Sequence, residues 1–358
     1  MNKLKVVVYA IAKDESKYVN KWVSSMSEAD EIIVLDTGST DDTVELLKKQ
    51  NVKVYESKIS PWRFDTARNK SLSYVANDTD ICVCTDLDEV FESGWRKILE
   101  ENWEPGITTR ARYNYNWKLD EENNPLVSFC INKIHGRDNY TWTHPVHEVL
   151  ECSKEEREKY VPITLNHYPD KNKSRSSYLP LLELSVKESP EDDRNLHYLG
   201  REYMFHNRWL DAIKTLHKHI HCPFATWKDE RCASMRFMGR SYDALGLSEE
   251  AEYWFLQSIK EAPYLREGYV ELASFYILKD NYESAYSLLK KALKIKEKSK
   301  SYINEEFAWN DAFYDLLSLA AYYTNHKKES LTYVKKAIKL NPKNTRYQEN
   351  LSIIKQNL

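Results

Sequence analysis

No stretch of this 358-residue chain approaches the roughly 18 consecutive apolar residues that a membrane-spanning helix needs. A secretory leader is not expected either. Met1 to Lys5 run straight into Val6-Val7-Val8-Tyr9, which is too short an apolar run and has no small-residue cleavage site. Positive charge is not in surplus: 52 Lys and Arg face 55 Asp and Glu, for a formal net charge of -3. The two signs are mixed throughout, so the chain offers no basic face to neutralise a phosphate backbone, and nucleic acid is not an expected partner. The six cysteines (Cys82, Cys84, Cys130, Cys152, Cys222, Cys232) have no zinc-ligand spacing, and Cys82 and Cys84 sit in an apolar strand pattern as small core residues. The expected setting is reduced and cytoplasmic, with no membrane span.

What is present is ample apolar material, 42% hydrophobic and 13% aromatic, in a chain long enough for two or three domains. The first 150 or so positions alternate strand and helix patterns. Val6 to Ile11 reads as a strand, and Tyr18, Val19, Trp22, Val23 and Met26 fall on one helical face. Glu31 to Asp36 follows as a second strand, then a Gly-Ser-Thr-Asp turn, a short helix from Thr43 to Lys49, a strand at Val52 to Tyr55, a helix from Phe64 to Ala76 and a strand from Ile81 to Thr85. Strands separated by helices imply parallel pairing with helices on both faces, and ligands of such sheets bind at strand carboxyl ends. Alternation from Thr109 to Trp117 and from Val127 to Ile131 predicts antiparallel additions, and Pro162 to His167 a closing strand.

Beyond residue 178 strand signals vanish. Leu199-Gly200, Tyr203 and Ala212 are echoed by Met238-Gly239, Tyr242 and Ala251, then by Leu272, Tyr276 and Ala285, then by Leu316, Tyr323 and Leu331. This resembles the tetratricopeptide repeat of ~34 residues, whose small positions let two helices pack closely, with insertions expected near Ile220 to Lys228 and Lys294 to Ile303. The domains expected are 1–170, a polar linker at 171–178 and helical repeats over 179–358. Tyr198, Tyr203, Tyr242, Tyr269, Tyr276 and Trp209 read as repeat core. The alternating His217, His219 and His221 have no acids or cysteines at ligand spacing, and read as surface or groove histidines rather than a metal site.

The chemistry concentrates in four strings: Ala10-Ile11-Ala12-Lys13-Asp14-Glu15, Asp36-Thr37-Gly38-Ser39-Thr40-Asp41, Ala67-Arg68-Asn69 and Asp86-Leu87-Asp88. In an extended segment residues i and i+2 share a side, so Asp86 and Asp88 would repel unless a cation sat between them, and a hard divalent ion suits such oxygens. Arg68 and a cation would balance a diphosphate, and carboxylates hydrogen-bond ribose hydroxyls. For Asp36 and Asp41 the competing reading is turn and helix-cap chemistry.

In this order and at strand ends, the four strings resemble glycosyltransferase family 2, with its α/β GT-A (Rossmann-like, nucleotide-sugar-binding) domain. The likeness covers roughly residues 4 to 168. With the all-α repeats it extends to bacterial peptide and protein glycosyltransferases. The resemblance implies that Ala10, Lys13 and Glu15 line the base pocket, that Asp36 with Gly38, Ser39 and Asp41 holds uracil or ribose, and that Arg68 lies near the diphosphate. It also implies that Asp86 and Leu87 contact the donor and that Asp88, with Asp86, binds Mn2+ or Mg2+. A third metal ligand late in the domain is a family habit, for which His167 and His147 compete. Glu89 is read as supporting the pair. An acceptor must lose its proton to a carboxylate or imidazole, and the family's usual acidic base motif is not evident after Asp88, so Glu148 is taken as base with His147 as alternative. His144 reads as structural, and Trp117 and Trp142 either stack on an acceptor or pack in the core.

The function expected is a metal-dependent inverting transfer of a sugar from a UDP-sugar to an acceptor. A peptide or protein side chain chosen by the repeats comes first, and a glycan or cell-envelope precursor second. The repeats also suit a homodimer, and the alternative of another class is a non-catalytic nucleotide-sugar-binding interaction protein.

Overall fold

The computed structural model describes residues 3–170, 178–299 and 301–358. The expected linker at 171–178 lies outside the described residues except for its last position. Contacts divide the chain into two compact units, residues 1–185 with 300–302, and residues 186–299 with 303–358.

The first unit is built on eight strands: β1 (Val6–Ala12), β2 (Glu31–Asp36), β3 (Lys53–Glu56), β4 (Ile81–Cys84), β5 (Glu89–Phe91), β6 (Arg110–Leu119), β7 (Pro125–His135) and β10 (Glu158–His167), in the order β3-β2-β1-β4-β7-β6-β10-β5. A separate hairpin pairs β8 (Tyr140–Thr143) with β9 (Val149–Cys152). The β3-β2-β1-β4 half is parallel, as helix-separated strands require. The β4, β7 and β6 strands then join antiparallel. Two pairings go beyond the sequence expectation. Glu89 to Phe91, for which no strand was read, is an edge strand antiparallel to β10, and β10, which includes the expected closing strand, runs parallel to β6. Both depend on pairing partners that local alternation does not name.

The helices of this unit are α1 (Ser16–Met26), α2 (Thr43–Lys49), α3 (Phe64–Ser73) and α4 (Trp95–Asn102). Helix α1 buries Val19, Trp22, Val23 and Met26, the face read from its periodicity, worth about 1.5–3 kcal/mol per large side chain. The Trp22 indole donates to Thr85 Oγ1 at 3.1 Å, which ties α1 to the end of β4. Helix α3 stops at Ser73, short of the expected Ala76.

After α5 (Tyr178–Glu188), the second unit stacks α6 (Asp193–Phe205), α7 (Trp209–His221), α8 (Lys228–Ala244), α9 (Ser248–Glu261), α10 (Arg266–Ile277), α11 (Tyr282–Lys294), α12 (Asp311–Tyr323), α13 (Lys327–Leu340) and α14 (Thr345–Gln356). The small residues act as the repeat pattern demands. Ala212, Ala251 and Ala285 are fully buried, and a Cβ on Gly200 would come 2.5 Å from Leu216, one on Gly239 2.6 Å from the Phe255 ring. One expectation is corrected. His219 is fully buried instead of lying on the surface, while His217 and His221 stack on each other with ring centroids 4.2 Å apart. Residues two apart on a helix point to nearly opposite sides, so the alternating trio is split.

Candidate functional site

The carboxyl ends of β1, β2 and β4 carry three loops, and the first two are tied together. After β1, Asp14 Oδ1 accepts from Thr40 N at 2.6 Å, and the Ser16 N–H donates to Asp41 Oδ2 at 3.1 Å. After β2, Asp36 Oδ1 accepts from the N–H groups of Gly38 (2.9 Å) and Ser39 (3.0 Å), and Oδ2 from the Ser39 hydroxyl. Gly38 has φ +114°, which a side chain would strain, so this turn requires glycine. Burial pushes the Asp41 carboxyl up, but hydrogen bonds from Thr43 and Ser16 outweigh it and lower it to about 2. Turn chemistry thus occupies both aspartates. The loops are braced before any ligand arrives.

Just beyond β4 a charged layer is organised by Arg68 of α3, which is only 4% exposed. Its Nη2 donates to Asp86 Oδ1 at 2.9 Å and Oδ2 at 3.1 Å, its Nε donates to Glu148, and its Nη1 lies 3.4 Å from Cys84 Sγ. One guanidinium therefore bridges two carboxylates and fixes both. Lys133 of β7 adds a second cation, 3.5 Å from Asp86 and 3.6 Å from Glu89. Burial pushes the Asp86 carboxyl up, yet Arg68 and then Lys133 hold it well below the usual carboxylate range. Burial pulls the Lys133 ammonium down, and Glu89 and Asp86 more than offset this. Glu89 accepts from the Asp86 N–H at 2.9 Å and from the Tyr115 hydroxyl at 2.8 Å, and burial raises its carboxyl. It shapes the turn that carries the acidic pair.

Asp88 faces another way, toward His167 at the end of β10, with Oδ2 3.4 Å from Nε2. The ring of His167 is held on its far side, Nδ1 lying 3.0 Å from the Trp117 carbonyl and the indole of Trp117 stacking on it at 4.5 Å. A proton on Nδ1, donated to that carbonyl, leaves the Nε2 lone pair beside the Asp88 carboxylate. That is the tautomer a metal-binding histidine uses. Burial lowers the His167 pKa, but the Asp88 carboxylate outweighs it and the net shift is upward.

Residues 7–168 match the family model described as Glycosyl transferase family 2, and residues 267–299 and 312–344 match the Tetratricopeptide repeat. The amino-terminal domain belongs to glycosyltransferase family 2. Members of this family generally use a nucleotide-sugar donor and a divalent metal. The chain is also 27% identical over 244 residues to the SPbeta prophage-derived glycosyltransferase SunS of Bacillus subtilis (strain 168), covering 63% of this chain and 54% of that protein. The same figures hold for glycosyltransferase SunS of Bacillus phage SPbeta. The chain thus spans about half the length of the curated relatives it matches. Among solved structures, one of MamA covers 50% of this chain and 99% of its own, at 19% identity and a TM-score of 0.37.

Within the glycosyltransferase domain, the structure gathers Arg68, Asp86, Glu89 and Glu148 into one layer and pairs Asp88 with His167. Glu15 is buried and Lys13 exposed, both on the β1 loop. Ala10 and Leu87 are core residues, 0% and 2% exposed. Trp142 is also core, its indole donating to Tyr9 Oη at 2.8 Å, whereas Trp117 keeps 42% of its surface open beside His167. His144 and His147 share a tight turn, with φ of 73° and 52°. Lys133 and Tyr115 escaped the sequence reading. Polar residues alternating along β6 and β7 were the available signal, but it does not say which strand β7 joins. No helix among the described residues is long and apolar enough to cross a membrane.

Proposed function

We propose that this chain transfers a sugar from a UDP-sugar to an acceptor with inversion, and that its helical repeats select a peptide or protein acceptor. The observation that carries the reading is the Asp88–His167 pair, with the imidazole tautomer pinned by Trp117 O at 3.0 Å, next to an Asp86 already balanced by Arg68 and Lys133. One carboxylate and one imidazole nitrogen converging in this way fit a Mn2+ or Mg2+ site, with Asp86 in the layer beneath. When bound, the ion would supply charge stabilisation for the departing diphosphate.

The rest falls to the protein. Asp36, Gly38, Ser39 and Asp41 form a braced turn that presents the nucleoside side of the donor pocket, and Glu15 and Lys13 flank it. Arg68 acts through carboxylates, holding Asp86 and Glu148 in place. The acceptor's proton goes to Glu148 or His147, neighbours on one turn, and Glu148 is already ion-paired with Arg68. The Trp117 face exposed beside His167 suits an apolar sugar face. A cytoplasmic location and a homodimer formed through the repeats complete the reading, with glycan or cell-envelope acceptors as the alternative substrate class.

The test is UDP release from a panel of UDP-sugars with and without Mn2+, comparing the natural chain with Asp88→Asn. Metal-dependent release from one sugar, lost in the variant, supports the reading. Tight UDP binding without turnover against any peptide or glycan acceptor would favour the sensor alternative, and no UDP binding would refute the donor site.

A further inference from the structure

The repeat unit contains the one group, among the described residues, in which three metal-capable side chains bring a ligand atom each within 4.8 Å of one another: His197 of α6, His219 of α7 and Glu230 of α8. They come from three successive helices and are 1%, 0% and 4% exposed. Neither ring nitrogen of His219 has a hydrogen-bond partner, although Nε2 lies 3.2 Å from Glu230 Oε1. Two groups at that distance and out of line for a hydrogen bond are disposed as ligands aimed at a common centre are. In a tetrahedral zinc site with arms of about 2.0–2.2 Å, neighbouring ligand atoms are about 3.3 Å apart. His197 completes the pattern. Its Nδ1 is 2.7 Å from Ser234 Oγ, which fixes the ring and leaves Nε2 as the nitrogen available to an ion, as outer hydrogen bonds do for metal-binding histidines.

We propose that His197, His219 and Glu230 bind one divalent transition metal of the zinc class inside the repeat unit, and that this metal fastens α6, α7 and α8 together. Two imidazoles and one carboxylate favour zinc over the oxygen-seeking Mg2+. Without an ion, a fully buried imidazole with both nitrogens lacking a hydrogen bond is destabilising, and coordination removes part of that cost. The exposed His217 and His221 take no part. The site is independent of the donor-site reading, and its function is to stabilise the first helices of the repeat unit.

The experiment uses the full chain carrying Asp88→Asn, so that a metal at the acidic pair is not counted, stripped with a chelator and titrated with Zn2+ or Co2+. The expected result is one zinc per chain, a rise in melting temperature, an intense visible Co2+ spectrum of low-coordinate type, and an X-ray absorption shell with two imidazoles at about 2.0–2.1 Å. Glu230→Gln should abolish the binding, and Ser234→Ala should weaken it about 10- to 100-fold. His197→Asn, checked for folding by circular dichroism, substitutes for Glu230→Gln if that variant does not fold. Absence of zinc binding, binding unchanged by these substitutions, or a zinc shell without imidazole would overturn the proposal; the absorption measurement needs no variant at the cluster.

Discussion

Replacing Arg68 with Met removes a guanidinium that is 4% exposed and leaves two carboxylates behind, with side-chain exposures of 34% for Asp86 and 11% for Glu148. Breaking a buried ion pair by deleting one partner costs about 3–5 kcal/mol. Here the lower end applies, because Asp86 is open enough for water to screen it and keeps Lys133 at 3.5 Å. Glu148 bears most of the loss. A cost of about 3 kcal/mol corresponds to a drop of roughly 6–12 °C in the melting temperature of a domain this size. The pH dependence sharpens the test. Asp86 is held below its ordinary value of 3.8, with Arg68 the largest lowering influence. A carboxyl depressed on folding stabilises the protein above its unfolded pKa, and the benefit is lost as pH falls through that value toward the folded one. The gap between the natural chain and Arg68→Met should therefore be widest near neutral pH and narrow below about pH 4. Urea unfolding at a series of pH values reads both quantities. A gap under about 1 kcal/mol at pH 7, or one that does not narrow in acid, would refute the bridging role of Arg68.

Asp88→Asn should lower metal-dependent UDP release by at least about 100-fold while UDP itself still stabilises the domain, measured by UDP detection and thermal shift. In metal-free protein the His167 pKa lies above its ordinary 6.5 because of Asp88. That pair contributes stability below about pH 6.5 which is lost as pH rises through the higher folded value, so a melting series from pH 6 to 9 should slope for the natural chain and flatten for His167→Gln. Gly239→Ala would put a Cβ 2.6 Å from the Phe255 ring. The overpacking cost of about 1–3 kcal/mol should exceed the ~1 kcal/mol helix-propensity gain, giving net destabilisation in chemical denaturation.

Local physics in the chain was enough to fix much of this protein. Periodicity marked the buried face of α1 with Val19, Trp22, Val23 and Met26, helix-separated strands implied the parallel β3-β2-β1-β4 half, and Gly200, Gly239, Ala212 and Ala251 marked helix crossings where only small residues fit. Asp36 and Asp86 were placed at strand ends, because apolar runs stop where the backbone meets solvent, and Asp86 lies two residues past the end of β4. Tertiary structure decided the rest. Side-chain alternation states which face a residue takes but not which strand lies beside it, so the place of β7 next to β4, and with it Lys133 beside Asp86, was not legible. The same holds for Arg68 reaching Glu148 across 80 residues of sequence, and for His219 meeting His197 and Glu230 from neighbouring helices rather than its own flanking histidines. A buried charge or imidazole takes its partner from whatever packing brings near, and that is a property of three-dimensional neighbours, not of spacing along the chain.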